Sequence, residues 1–118
     1  MDTRTKIVPP REAMRIAAAG AIVVSGYFDP LIAGHADRLR ELKREGRALI
    51  VAISEPENPI FPARARAELL AGLAVVDHVV ESTEELKIDV RLEQEDAARL
   101  DALIEHVHAR NSSGGKKH

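Results

Sequence analysis

An α/β fold of three layers, built on a small parallel sheet of four to five strands, is what this sequence predicts. Three observations carry that expectation. Ala21 to Ser25 and Ala48 to Ser54 are continuously apolar runs, the pattern of strands buried on both faces of a sheet. The stretches between them are amphipathic at a helical period: Ala36, Leu39 and Leu42 mark one face, and charged residues fill the rest. The regular alternation of strand and helix implies parallel strands joined by right-handed crossovers.

The elements follow in order. Pro9-Pro10 opens a short helix to Ala19, with Gly20 as its left-handed stop. The first strand is Ala21 to Ser25. A second helix is expected from about Gly34 to Glu45, ended by Gly46. The second strand, Ala48 to Ser54, leads into a Pro-rich loop, Glu55 to Pro62, that has no regular period. A third helix is expected from Ala63 to Leu73, then a strand around His78 to Glu81. Lys87 to Leu92 alternates Ile88, Val90 and Leu92 with charged residues, as a half-exposed fourth strand would. A last helix, about Glu93 to Arg110, puts Ala97, Leu100, Leu103, Ile104 and Val107 on one stripe to pack against the sheet. The end, Asn111 to His118, is Gly/Ser-rich and polar, and is expected to be a flexible tail beyond a single domain over 1–110.

A length of 118 residues suits one domain. Tyr27, Phe28 and Phe61 are the only aromatics, so the core must be aliphatic. A net charge of −2 provides no field to attract nucleic acid or a membrane surface. There is no cysteine, which excludes disulfides and thiolate zinc sites. No leader and no membrane-spanning apolar stretch is read from the chain, so a soluble cytoplasmic protein is the expectation.

The most informative segment is Gly26-Tyr27-Phe28-Asp29-Pro30-Leu31-Ile32-Ala33-Gly34-His35. It joins the first strand to the second helix. A Gly-opened loop feeding a helix N-terminus offers free N–H groups and the positive end of the helix dipole to an anion. His35 would stand on the first turn, within reach of a phosphate.

This decapeptide resembles the signature of the nucleotidyltransferase superfamily, in which Gly, Phe, Asp and a closing His-x-Gly-His or Thr-x-Gly-His tetrad bind the phosphates of a nucleoside triphosphate. Gly26, Phe28, Asp29, Gly34 and His35 match. Ile32 stands where the tetrad has its first His or Thr. The resemblance runs from about Lys6 to Glu81 and is nearest to the sugar-phosphate branch: the adenylyltransferase domain of heptose-phosphate nucleotide synthases, and glycerol-3-phosphate cytidylyltransferases. Leu49 to Ser54 is similar to its second strand, and Pro62 to Leu73 with Val76 to Val80 to its third helix and strand. The resemblance implies a Rossmann-like nucleotidyltransferase fold, and ATP or CTP with Mg2+ as the ligand. The implied nucleotide-binding residues are Gly26, Tyr27, Phe28, Asp29, Ile32, Gly34, His35 and Arg66, to which Arg64 is added by its position near the strand ends. His35 is the implied catalytic residue, and no protein metal ligands are implied.

Each of these residues also has a plainer reading. His35 could satisfy loop carbonyls. Asp29 before Pro30 suits an Asx-type turn, the favoured reading over loop orientation or magnesium contact. Gly34 suits a helix starting tightly against a strand as well as a phosphate. Arg66 is more readily a solvated or loop-bonding cation, and Arg64 is a phosphate candidate only through its position near the strand ends. His78, His106 and His108 read as packed or surface histidines.

The departures from the branch weigh on function. An isoleucine donates no hydrogen bond, and losing one charge-assisted donor in a transition-state clamp costs on the order of 3 kcal/mol. The branch's loop lysine after the second strand has no counterpart in Glu55 to Pro62. Its late Ser/Thr motif is matched only by Ser112-Ser113, beyond the last helix. The expected function is therefore a nucleotide-binding domain with little or no transferase activity, a pseudoenzyme. The alternatives are a working minimal enzyme moving AMP or CMP onto a sugar- or polyol-phosphate, and a ligand-free interaction module forming a homodimer through its sheet edge or last helix.

Overall fold

A computed structural model describes residues 2–95 of the chain. The expected last helix beyond residue 95, His106, His108, Ser112, Ser113 and the polar tail lie outside the described residues.

A short 3-10 turn, Thr3–Lys6, comes first, followed by α1 (Pro10–Ala18), β1 (Ile22–Gly26), α2 (Ala33–Leu42), β2 (Leu49–Ile53), α3 (Ala63–Ala71), β3 (His78–Val80) and β4 (Val90–Arg91). The four strands form one sheet in the order β3-β2-β1-β4, and every pairing is parallel. The register aligns Ile22 with Leu49 and Gly26 with Ile53. A single parallel bridge, Ile7 to Val79, adds a partial fifth strand outside β3.

Alternation along the strands sorts the core into two layers. Ile22, Val24, Leu49, Val51 and Val79 point to one face, where Leu39 of α2 and Ala67, Leu70 and Ala71 of α3 cover them. Val23, Ile50, Ala52 and Val80 point to the other, where α1 supplies Ala13, Ile16 and Ala17. Helices on both sides of a parallel sheet give the three-layer α/β, Rossmann-like fold that the sequence predicts.

Several boundaries differ from expectation, each for a physical reason. α2 stops at Leu42 rather than Glu45. Lys43 turns to extended geometry, φ −67° and ψ 134°, and its Nζ donates to Asp77 at 2.6 Å and to the Arg47 carbonyl at 2.7 Å. Gly46, at φ +82°, therefore serves the following turn and not the helix end. The fourth strand is shorter than the predicted Lys87 to Leu92. Asp89 pairs with β1 partly through its side chain, accepting from the Val23 N–H at 2.8 Å, and residues 92–95 are already helical. α3 ends at Ala71, two residues early, with Gly72 as its cap.

Candidate functional site

In open α/β sheets, ligands bind at the carboxyl ends of the strands, in the crevice where the strand order reverses. Here that place is the end of β1, between β2 on one side and β4 on the other. The loop Gly26 to His35 leaves from this point and enters α2, so the sequence-predicted segment lies at the fold's expected crevice.

The loop's shape is set by a few contacts. Phe28 is buried and lies in the left-handed region, φ +49°, which is strained for a residue with a side chain. Its ring lies over Gly26: a Cβ added there would stand 2.7 Å from two ring carbons. The ring also meets the imidazole of His35 edge to face, with centroids 5.2 Å apart at 76°. Gly26, Phe28 and His35 thus form one packed unit.

His35 is the third residue of α2 and is buried. Its Nδ1 accepts the backbone N–H of Ile32 at 3.2 Å. The neutral ring therefore carries its hydrogen on Nε2. Ile32 is the N-cap residue, with extended φ −121° and ψ 168°, and its side chain makes no cap hydrogen bond. An isoleucine has no acceptor, so only the reciprocal half of a capping box exists, from the N-cap N–H to the third residue. The Ile32 side chain is 50% exposed. Ala33 and Gly34, also exposed, begin the helix, whose first N–H groups lack intrahelical partners.

The Asx-turn reading of Asp29 is corrected. Its two carboxylate oxygens accept the backbone N–H groups of Ile60, at 2.6 Å, and Phe61, at 2.8 Å. Asp29 thereby pins the Pro-rich loop after β2 against the loop after β1. Tyr27 contributes its carbonyl, which accepts from Arg66 at 3.0 Å.

Arg66 is fully buried, so the solvated alternative is also corrected. Its guanidinium donates to the carbonyls of Phe61, Tyr27 and Ser54, each at 3.0 Å, and to the carboxylate of Glu55. It holds the loops after β1 and β2 from beneath, and the nitrogens used in this way are not presented to a ligand. Arg64 is exposed on the first turn of α3 and pairs with Glu68 at 3.3 Å and Glu81 at 3.2 Å. The structure brings Gly26, Tyr27, Phe28, Asp29, Ile32, Gly34 and His35 together, with Arg66 beneath them. It places Arg64 in a separate ion-pair cluster.

Sequence reasoning missed a second cluster at the same strand ends. The half-buried carboxylate of Glu93 accepts from Ser25 Oγ at 2.8 Å and from Ser54 Oγ. Beside it, Glu95 grips Arg38 of α2 through two hydrogen bonds of 2.9 Å. The only signal in the sequence was that each apolar strand run closes on a serine. His78 is half-buried on β3, and its buried Nδ1 has no hydrogen-bond partner. Among the described residues no group of three or more His, Asp or Glu is placed to hold a metal ion. No described helix is long and apolar enough to cross a membrane.

Known proteins resemble the chain in sequence. The chain is similar to the Bifunctional protein HldE of Shewanella piezotolerans, 32% identical over 92 residues, which is 70% of this chain and 19% of that protein. The HldE of Psychromonas ingrahamii is 37% identical over 73 residues, 54% of this chain and 15% of that protein. The FAD synthase of Pyrococcus horikoshii is 40% identical over 67 residues, 50% of this chain and 45% of that protein. The chain thus spans less than half the length of each of these relatives. A family match extends over residues 23–109, from within β1 through the signature loop and beyond β4. With the loop, the sheet order and that match in agreement, the chain belongs to the cytidylyltransferase-like family.

Proposed function

We propose that this domain binds a nucleotide at the Gly26 to His35 loop and has little or no transferase activity. One observation carries the reading: the N-cap of α2, at the mouth of the loop, is an exposed isoleucine with no donor or acceptor, while His35 behind it is packed and oriented. The loop retains a shape suited to phosphate, and its first side chain contributes nothing to charge stabilisation. Neither arginine offered by the sequence is placed to compensate. Arg66 is taken up by three carbonyls and Glu55, and Arg64 by Glu68 and Glu81.

Magnesium would enter on the triphosphate. Asp29, the loop's carboxylate, already accepts two backbone N–H groups. The chemistry that a working member would perform is attack of a sugar- or polyol-phosphate oxygen on the α-phosphorus of ATP or CTP, with pyrophosphate leaving. The expected compartment is the cytoplasm.

The test is a thermal-shift screen with ATP, CTP, AMP, CMP and Mg2+, followed by a pyrophosphate-release assay on a panel of sugar phosphates. A ligand at one hundred times its dissociation constant adds about 2.7 kcal/mol of stability. Binding without turnover in the wild type is expected. Ile32→His should tighten triphosphate binding without restoring full turnover, and His35→Ala should weaken binding. Robust wild-type turnover, abolished by His35→Ala, would establish the working transferase instead. If no nucleotide binds the wild type or Ile32→His, the interaction-module reading replaces this one. The exposed apolar side chains of Ile32, Ile60 (69%) and Phe61 (41%) are the observation that favours it.

A further inference from the structure

The acid–hydroxyl cluster at the strand ends bears on which nucleotides the crevice takes. Glu93 bridges Ser25, next to Gly26, and Ser54, whose N–H donates to the Gly26 carbonyl at 2.9 Å. The carboxylate therefore sits at the base of the signature loop. Both donors are neutral hydroxyls, and Glu93 forms no ion pair among the described residues. Of the other carboxylates near this point, Glu55 is compensated by Arg66, Glu95 by Arg38 and Asp29 by two N–H groups, while Glu57 is exposed to solvent. Half-burial weakens the screening of the remaining charge.

We propose that Glu93 is a specificity-determining residue that disfavours highly charged phosphate chains in the crevice and favours nucleosides or singly phosphorylated nucleotides. The inference rests on nucleotide binding at the loop and adds the chemical class of ligand. A fixed anion at the base of a phosphate loop opposes a triphosphate in proportion to its charge, whereas a neutral nucleoside is unaffected. Arg38 and Arg66 are already paired, so they offset the repulsion only by breaking existing contacts.

The experiment is calorimetric titration of the wild type with adenosine, cytidine, AMP, CMP, ATP and CTP in the presence of Mg2+, repeated on Glu93→Gln and Glu93→Ser. Both variants remove the charge and keep a hydrogen-bonding group for the serines, so either one that folds, as judged by circular dichroism, is informative. Ser25→Ala keeps the charge and removes one hydrogen bond. The expected result is a gain of about fivefold or more in triphosphate affinity relative to nucleoside on neutralising Glu93, smaller for the monophosphates and reduced at high salt. Ser25→Ala should leave that ratio unchanged. An unchanged ratio in the neutral variants, with ligands still bound, overturns the inference and leaves nucleotide binding intact. A Ser25→Ala shift as large as that of Glu93→Gln assigns the effect to loop shape and also overturns it. If none of the proteins binds any of the six ligands, both this inference and the proposed nucleotide binding fall.

Discussion

His35 Nδ1 accepts the backbone N–H of Ile32 across the first turn of α2, at 3.2 Å. The contact fixes the imidazole from one side while Phe28 fixes it from another, in edge-to-face contact at 5.2 Å. An orienting network of this kind holds the ring whether or not the N-cap side chain takes part. It explains how the loop keeps its form with isoleucine at a position that calls for a polar residue.

The missing half of that cap can be restored. Threonine at position 32 would supply an oxygen to the N–H of the third helical residue, and a good N-cap is worth about 1 kcal/mol. Ile32 is 50% exposed, so little apolar burial is lost in exchange. Ile32→Thr should raise the thermal midpoint by several degrees. A midpoint at or below that of wild type would show that the apolar side chain stabilises the loop by contacts of its own.

Gly26→Ala should destabilise the domain by about 1–3 kcal/mol, because its Cβ enters the Phe28 ring, which is boxed in by the core. Phe28→Leu in the same chain should recover part of that loss. The two changes are therefore expected to be non-additive in a double-mutant cycle measured by chemical denaturation. Additive costs would mean that the glycine is required for another reason.

The two halves of the Arg66–Glu55 pair should differ sharply. The arginine is fully buried and Glu55 is largely exposed. Arg66→Met leaves three carbonyls without their donor, a loss on the order of 3 kcal/mol. Arg66→Lys should rescue little, because an ammonium on a flexible stem cannot span the same fork. Glu55→Gln removes only a solvent-exposed charge and should shift stability by less than about 1 kcal/mol. Equal effects in urea unfolding of the two single variants would contradict this division.

Acid should weaken the fold in part through Asp77. Burial pushes its carboxyl up, but hydrogen bonds from the Lys43 ammonium and the Leu49 N–H outweigh it and hold the group below its ordinary value. A carboxyl that is more acidic in the folded than in the unfolded chain stabilises the fold at pH above the unfolded value of about 3.9. That contribution is lost as pH falls through the lower folded value. Between about pH 5 and pH 2, wild-type stability should therefore fall more steeply than that of Asp77→Asn. Parallel pH profiles in urea titrations would assign the acid sensitivity elsewhere.

The fold class and its local elements could be read from the sequence. The apolar runs gave β1 and β2 to within a residue at each end, and the spacing of Gly34 and His35 set them on the first turn of α2. The loop-bonding reading of Arg66 and the loop-orienting reading of Asp29 hold, but the partners of Asp29 and Glu93 were not readable, because they lie 31 and 68 residues away along the chain. Such contacts depend on how the strand ends meet, and no helical or strand period encodes that. The shortness of β4 was hidden for a related reason. Its alternating pattern continues to Leu92, but the backbone has already turned helical there.

The partial strand at Ile7 has its own consequence. β3 has three residues and stands at the margin of the sheet, where unpaired backbone invites another chain. The N-terminal arm occupies part of that margin through the Ile7–Val79 bridge and the Val8 N–H on the Val79 carbonyl at 2.8 Å. Lys6 ties the arm down by donating to the Leu73 carbonyl at 3.0 Å. Cleavage that removes the first eight residues would uncover a ready template for strand addition. The trimmed protein should self-associate more readily than the untrimmed one, a difference that light scattering would show, because the arm covers backbone that could otherwise pair with another chain.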